Sequence, residues 1–361
     1  MASKDFEVLQ VVSQVLYNGK AGLIDLDLNQ QQKVLNSYGY PMGLADYSAF
    51  ILGGLPKQGQ TLEEVKDLLL NEIKKLRAGE FDEKMLQANI NNFKLYELQS
   101  MESNEGRADI FVNSFINGTN WKDEVTAIDR MAKLTKEDIV AFADKYLKED
   151  NYAVVYKKQG KDPNEKKMTK PEITPIVSNR DVASPFLTSI QENAVKPIEP
   201  VFLDFKKDRS QLTAKSDIPV LYKQNTTNDL FQLIYVFDMG NNNDKALGTA
   251  FDYLEYLGTS DMTPEELKSE FYRLACTFYV SPGNERTYVV LSGLNENMPA
   301  AMQLFEKLLA DAQANKEAYN NLVGDILKAR ADAKLNQGQN FSRLMNYAMY
   351  GPKSPATNLL T

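Results

Sequence analysis

Asp252, Glu255 and Tyr256 stand at i, i+3 and i+4 in the stretch AFDYLEYLGTSDM, residues 250–262. On a helix that spacing puts all three side chains on one face. The same spacing lets a helix hold a metal ion with its outer two side chains and activate a water with a carboxylate between them. Here the central carboxylate is present and its flanking positions carry an aspartate and a tyrosine. Asp252 is a plausible oxygen ligand for a cation, whereas a neutral tyrosine is a poor ligand for zinc. The alternative is a solvated helix face in Asp252 and Glu255, with Tyr253, Leu254 and Leu257 packing inward.

Composition narrows the chemistry. The chain has 361 residues and no histidine, so His-based acid–base catalysis and His-dependent nucleophilic triads are excluded. Zinc sites that rely on neutral imidazole ligands are disfavoured on the same ground. Its one cysteine, Cys276, excludes an internal disulfide and reads as a small buried apolar residue in YRLACTFYV. A net charge of −8 argues against a nucleic-acid surface, which needs a basic face. With 43% hydrophobic and 25% charged residues the chain is globular. No apolar run is long enough to span a membrane, and MASKDFEVLQ is not a signal peptide. No G-x-G-x-x-G or Walker pattern offers a phosphate cradle. The sequons at Asn117, Asn225 and Asn340 read as chance matches, and the lysines at 157–170 as a solvated stretch.

The elements that must position these residues follow from periodicity. A helix capped by Ser3 runs to about Leu16, with Phe6, Leu9, Val12 and Leu16 on its apolar face. A helical stretch follows over 25–36, then two short strands in YGYPMGLADYSAFILGGL. Thr61 with Glu64 forms a capping box for a helix that stops at Gly79. Helices are expected from Asp82 to about Met101, over 105–117, over 122–131, and after Thr135 with Asp138. A strand is expected at 151–157. Residues 158–215 hold Pro163, Pro171, Pro175, Pro185, Pro197 and Pro200, which suits an extended connector between domains. Beyond it come strands IPVLYKQ and LFQLIYVFDMG, a helix over 245–257, and a helix capped by Thr263 and Glu266. Strands CTFYVS and RTYVVLSGL and two further helices complete the pattern. YSAFILGGLPKQGQTLEEVKDLLLNEI also aligns with RTYVVLSGLNENMPAAMQLFEKLLADA, matching Leu52, Gly54 and Leu55 to Leu291, Gly293 and Leu294. If genuine, the repeat has a period of roughly 240 residues.

Taken together these segments resemble a family. FQLIYVFDMGNNND, AFDYLEYLGT, MTPEELKSEFYRLACTFYVSPGNERTYVVLSGLNENM and LMNYAMYGP look like the first-half pattern of the insulinase/pitrilysin zinc metallopeptidases, in their tandem bacterial form. Met349-Tyr350-Gly351 stands at the family's LYG-type turn. VLYNGKAGLIDLDL, ADYSAFILGGL, EEVKDLLLNEIKKLRAGEFDEKMLQANINNF and LTKEDIVAFADKYLKEDNYAVVY look like the latter part of the family's second domain. The resemblance implies an α+β fold of mixed or antiparallel sheets covered by helices, in two partial copies. Residues 1–157 would be the C-terminal part of a second domain, 158–215 the interdomain linker, and 216–361 the N-terminal part of a degenerate third domain. The chain would then begin and end inside domains.

The family's inverted H-x-x-E-H motif falls, residue by residue, on Asp252, Glu255 and Tyr256, and its third ligand falls near Asp325. The resemblance therefore implies no catalytic, cofactor or metal residue in this segment, with zinc expected in an upstream catalytic domain of the parent chain. It implies a non-catalytic part of a zinc endopeptidase that helps to enclose and position peptides. A scaffold or assembly subunit of the same fold is the alternative. The implied partners are the remainder of the full-length chain, unfolded peptides and a homodimeric copy. The implied location is the bacterial periplasm or cell envelope.

Overall fold

The computed structural model describes residues 4–44, 47–161, 168–176, 178 and 180–354. Ser3, Pro163 and part of the lysine-rich stretch lie outside the described residues. The chain forms two compact units, one of Met1–Val154 with Asn225–Thr361 and one of Val155–Gln224. The larger unit is described here as two lobes, the first before Val155 and the second after Gln224.

The first lobe opens with α1 (Lys4–Leu16), whose Val11, Val12, Val15 and Leu16 are buried. Strands β1 (Asn36–Gly43) and β2 (Ser48–Leu55) pair as an antiparallel hairpin in the register Gly39↔Leu52. Helices α2 (Leu62–Arg77), α3 (Lys84–Ser100), α4 (Asn104–Ile116), α5 (Trp121–Val125), α6 (Ala127–Met131) and α7 (Lys136–Tyr146) follow. The expected capping boxes close on α2 through Thr61 and Glu64 and on α7 through Thr135 and Asp138. Val12, Leu16, Ile24, Leu76 and Ile139 form the middle of this lobe's core. Burying each such side chain contributes about 1.5–3 kcal/mol.

Three expectations change here. The helix over 25–36 is instead a single π-helical turn at Asp25–Gln30, and Asn36 already belongs to β1. Asn29 diverts the chain: its amide donates to the Ser37 carbonyl and accepts from the Ser37 N–H, each at 2.8 Å. The helix over 122–131 divides at Thr126, whose hydroxyl donates to the Lys122 carbonyl at 2.7 Å. Residues 151–157 pair with no strand among the described residues.

The unit Val155–Gln224 carries little regular structure. Ser184 caps α8 (Pro185–Gln191). Strands β3 (Ser210–Thr213) and β4 (Pro219–Tyr222) form a short hairpin with each other. The strand expected in IPVLYKQ therefore belongs to this unit and does not extend the sheet of the second lobe.

The second lobe contains β5 (Leu230–Phe237), α9 (Leu247–Leu254), α10 (Pro264–Arg273), β6 (Cys276–Pro282) and β7 (Thr287–Leu294). Helices α11 (Met298–Asp311), α12 (Lys316–Ala333) and α13 (Gln337–Tyr350) complete it. Its antiparallel sheet has the order β5-β7-β6. Phe278 packs between Phe271 and Phe305, with ring centroids 5.0 and 4.9 Å away, and Leu291 and Leu308 close the core beneath. The fold is α+β, with helices covering small antiparallel sheets.

The lobes meet where α3 lies against α10. Ala21 and Ala88 pack on Tyr272, and Leu95 packs on Leu230 and Ala275. Small residues at the first patch let the backbones approach closely.

Candidate functional site

Helix α9 delivers the motif positions, but it ends before delivering all of them. Regular α-helix stops at Leu254, short of the expected residue 257, and Glu255 is the C-cap. The N–H of Tyr256 bonds to the Tyr253 carbonyl at 3.0 Å, and that of Leu257 to the Leu254 carbonyl at 3.2 Å. These are i→i−3 bonds, so the last turn winds as a tighter 3₁₀ turn. The motif therefore straddles a helix end, where the i, i+4 alignment of Asp252 and Tyr256 is no longer that of a straight α-helix.

The four positions still share one neighbourhood. Burial pushes the Tyr256 phenol above its ordinary value, and the charges of Glu255, Asp325 and Asp252 push it the same way. Tyr256 thus stays neutral near pH 7. Desolvation at the helix end also raises the Asp252 carboxyl. Asp325, on α12, lies 3.4 Å from the ammonium of Lys57 in the β2–α2 loop, with both side chains about one-fifth exposed. The Lys268 ammonium sits 5.9 Å from the centre of the Tyr256 ring. Burial lowers the Lys268 pKa, against the opposing pull of Glu255, Asp25 and Glu265.

This donor set does not fit zinc. One ligand position is a neutral phenol, and the downstream carboxylate is already paired with an internal cation. Among the described residues no group of three or more His, Cys, Asp or Glu side chains is arranged to hold a metal ion. What joins α9 to α12 is Tyr253: its hydroxyl donates to the Asn315 carbonyl at 2.7 Å and accepts from the Asn315 N–H at 2.6 Å. Its ring also meets that of Tyr319 edge-on at 5.6 Å.

Beside Tyr256 an open groove of about 640 Å³ runs along the loops 258–264 and 313–317. Its polar groups are turned to loop construction. Thr259 Oγ1 donates to Asp261, the Ser260 N–H donates to Asp311, and Asp261 pairs with Lys307. Gly258 is required there, because a Cβ would stand 2.3 Å from the Met262 carbonyl oxygen.

Lys57, Lys268, Gln30 and Gln32 all reach this neighbourhood without being marked by the sequence. Gln30 donates to the Glu255 carbonyl at 3.3 Å and Gln32 to the Ala318 carbonyl at 3.2 Å. The partners of Gln30, Gln32 and Lys57 lie in the other lobe, so no local spacing could expose them. Tyr253 was legible as a packing residue, but its hydrogen-bonding role was not.

No family model matches the chain. No curated protein matches it either. Solved structures do. A protease from Helicobacter pylori aligns with a TM-score of 0.38 and 22% identity over 41% of this chain and 36% of its own. The periplasmic protease PqqL from Escherichia coli aligns with a TM-score of 0.38 and 14% identity over 99% of this chain and 41% of its own. A peptidase M16 inactive domain from Pseudomonas fluorescens gives a TM-score of 0.37 and 17% identity over 42% of this chain and 37% of its own. Two of these structural neighbours are proteases and the third is an inactive M16 peptidase domain. The chain spans about two-fifths of their length.

Proposed function

We propose that this chain is a non-catalytic segment of a zinc endopeptidase of the insulinase/pitrilysin type, helping to enclose and position peptide substrates. The observation that carries this reading is the fate of the motif: Tyr256 stands at a ligand position, and Asp325 is paired with Lys57. The sequence resemblance supplies the family. The zinc would lie in another domain of a longer parent chain, in the periplasm or cell envelope.

Peptide binding needs only backbone pairing at a sheet edge. Strands β5 and β6 are the outer strands of the three-stranded sheet, and both carry exposed apolar side chains, including Ile234, Val236, Phe237 and Tyr279. Unpaired strand edges of this kind favour an added extended segment.

The test is fluorescence anisotropy with a fluorescein-labelled, unstructured peptide, followed by mass spectrometry of the same peptide. The expected result is saturable binding with the peptide intact. Absence of binding would overturn the enclosing role and favour the scaffold reading. Cleavage would overturn the non-catalytic one.

A further inference from the structure

The cores of the two lobes are separate. One is built from residues between Val11 and Ala143, the other from residues between Phe231 and Leu308. The seam between them combines two small apolar patches, Ala21 and Ala88 on Tyr272 and Leu95 on Leu230 and Ala275, with a set of polar contacts. On one side of it, Asn92 donates to the Tyr272 carbonyl at 2.8 Å and the Tyr272 hydroxyl donates to Asn89 at 2.8 Å. Asn228 Nδ2 also donates to Glu102 Oε1 at 2.9 Å, and among the described residues three further polar contacts reach the motif neighbourhood. Gln30 takes the Glu255 carbonyl, Gln32 takes the Ala318 carbonyl, and Lys57 takes Asp325. Lys268 faces charge from both lobes, Asp25 of the first and Glu255 of the second.

Two backbone positions at the seam also depart from ordinary geometry. Gln32 has φ of +50° and Ala275 has φ of +47°, a region that side chains other than glycine seldom occupy. Such strain persists only where surrounding contacts fix it. The Gln32 side chain makes a contact across the seam, and Ala275 packs against Leu95 of the first lobe.

We infer that the motif neighbourhood serves as a latch between the lobes: Asp325 and the carbonyls of Glu255 and Ala318 grip Lys57, Gln30 and Gln32, and the lobes stay paired without the covalent connection 155–224. The ammonium of Lys57 supplies the positive charge that neutralises Asp325. Each lobe has its own main core, and the two small clusters that they share are those on Tyr272 and Leu95. A long connection with little regular structure raises the local concentration of one lobe around the other but fixes no geometry.

The experiment uses the full chain with a site-specific protease recognition sequence inserted between Ile198 and Glu199, in an exposed, irregular stretch. After cleavage the halves are run by gel filtration with light scattering at low salt and at about 0.5 M salt, where exposed charge pairs are screened. The expected result is co-elution as a one-to-one pair at low salt, with weaker pairing at high salt. Lys57→Asp or Asp325→Lys alone should raise the dissociation constant roughly threefold to tenfold. The exchanged pair Lys57→Asp/Asp325→Lys should recover most of that loss, which a general folding defect would not do. Separation of the wild-type halves on cleavage would overturn the inference. So would an exchanged pair no tighter than either single variant.

Discussion

The Tyr253 hydroxyl bridges α9 to the Asn315 backbone from both sides, donating to the carbonyl at 2.7 Å and accepting from the N–H at 2.6 Å. Here one phenol holds the junction, supported by the edge-on contact with Tyr319. Tyr253→Phe keeps the ring and removes both hydrogen bonds. The loss should be about 1–2 kcal/mol of stability, read as a lower denaturation midpoint with unchanged denaturant slope. An unchanged midpoint would show that the junction does not depend on this hydroxyl.

Asp25 gives the first lobe a pH dependence. Its Oδ2 accepts from the N–H groups of Asn18, Gly19 and Gly22 at 2.9, 3.0 and 3.0 Å. Burial outweighs these bonds and the charge of Lys268, and the carboxyl is pushed up to about 6 from 3.8. Tyr17, Tyr96 and Tyr272 also face Asp25 and have their own phenols raised, burial being the larger cause in each. In the window from about pH 4 to 6 the folded chain holds a proton that the unfolded chain has released. Stability from this group is therefore full below pH 4 and is lost as pH rises through 6, by on the order of 3 kcal/mol. Asp25→Asn keeps an acceptor for the three N–H groups and removes the titration. It should flatten this part of the pH–stability curve. A curve that keeps its slope would assign the effect elsewhere.

Much of the scaffold was legible because its determinants are local. Thr61 with Glu64, Thr135 with Asp138, and Thr263 with Glu266 each close a capping box where the sequence placed one. The strand–turn–helix units β2–α2 and β7–α11 also lie where the internal alignment put them. The failures have non-local causes. Asn29 captures Ser37 and ends the helical stretch early, although nothing in the periodicity of 25–36 signals it. The end of α9 at Leu254, short of 257, breaks the motif's geometry, while its spacing in the sequence is intact. Asp325 was readable as a candidate carboxylate, but Lys57 as its partner was not, because the pair exists only once the lobes have met.

Tyr272 is a deeply buried polar residue of the seam, and its phenol is held far above the ordinary tyrosine range by burial. It is therefore a permanent donor to Asn89 Oδ1 at 2.8 Å. Among the described residues Asn89 Nδ2 has no partner, so losing the hydroxyl would leave both ends of that amide without one. Tyr272→Phe should cost about 1–3 kcal/mol, measured by chemical denaturation. A neutral effect would mean that the seam relaxes around the missing hydroxyl.

The reading of the site as non-catalytic is tested most directly by zinc analysis and peptide hydrolysis on one preparation. The purified chain is dialysed against buffer containing zinc and then against metal-free buffer, its metal content is measured, and a quenched fluorogenic peptide is added with and without chelator. With a phenol at Tyr256 and Asp325 held by Lys57, the expected result is substoichiometric zinc and no chelator-sensitive cleavage. One zinc per chain, retained through dialysis and accompanied by hydrolysis that the chelator abolishes, would contradict it.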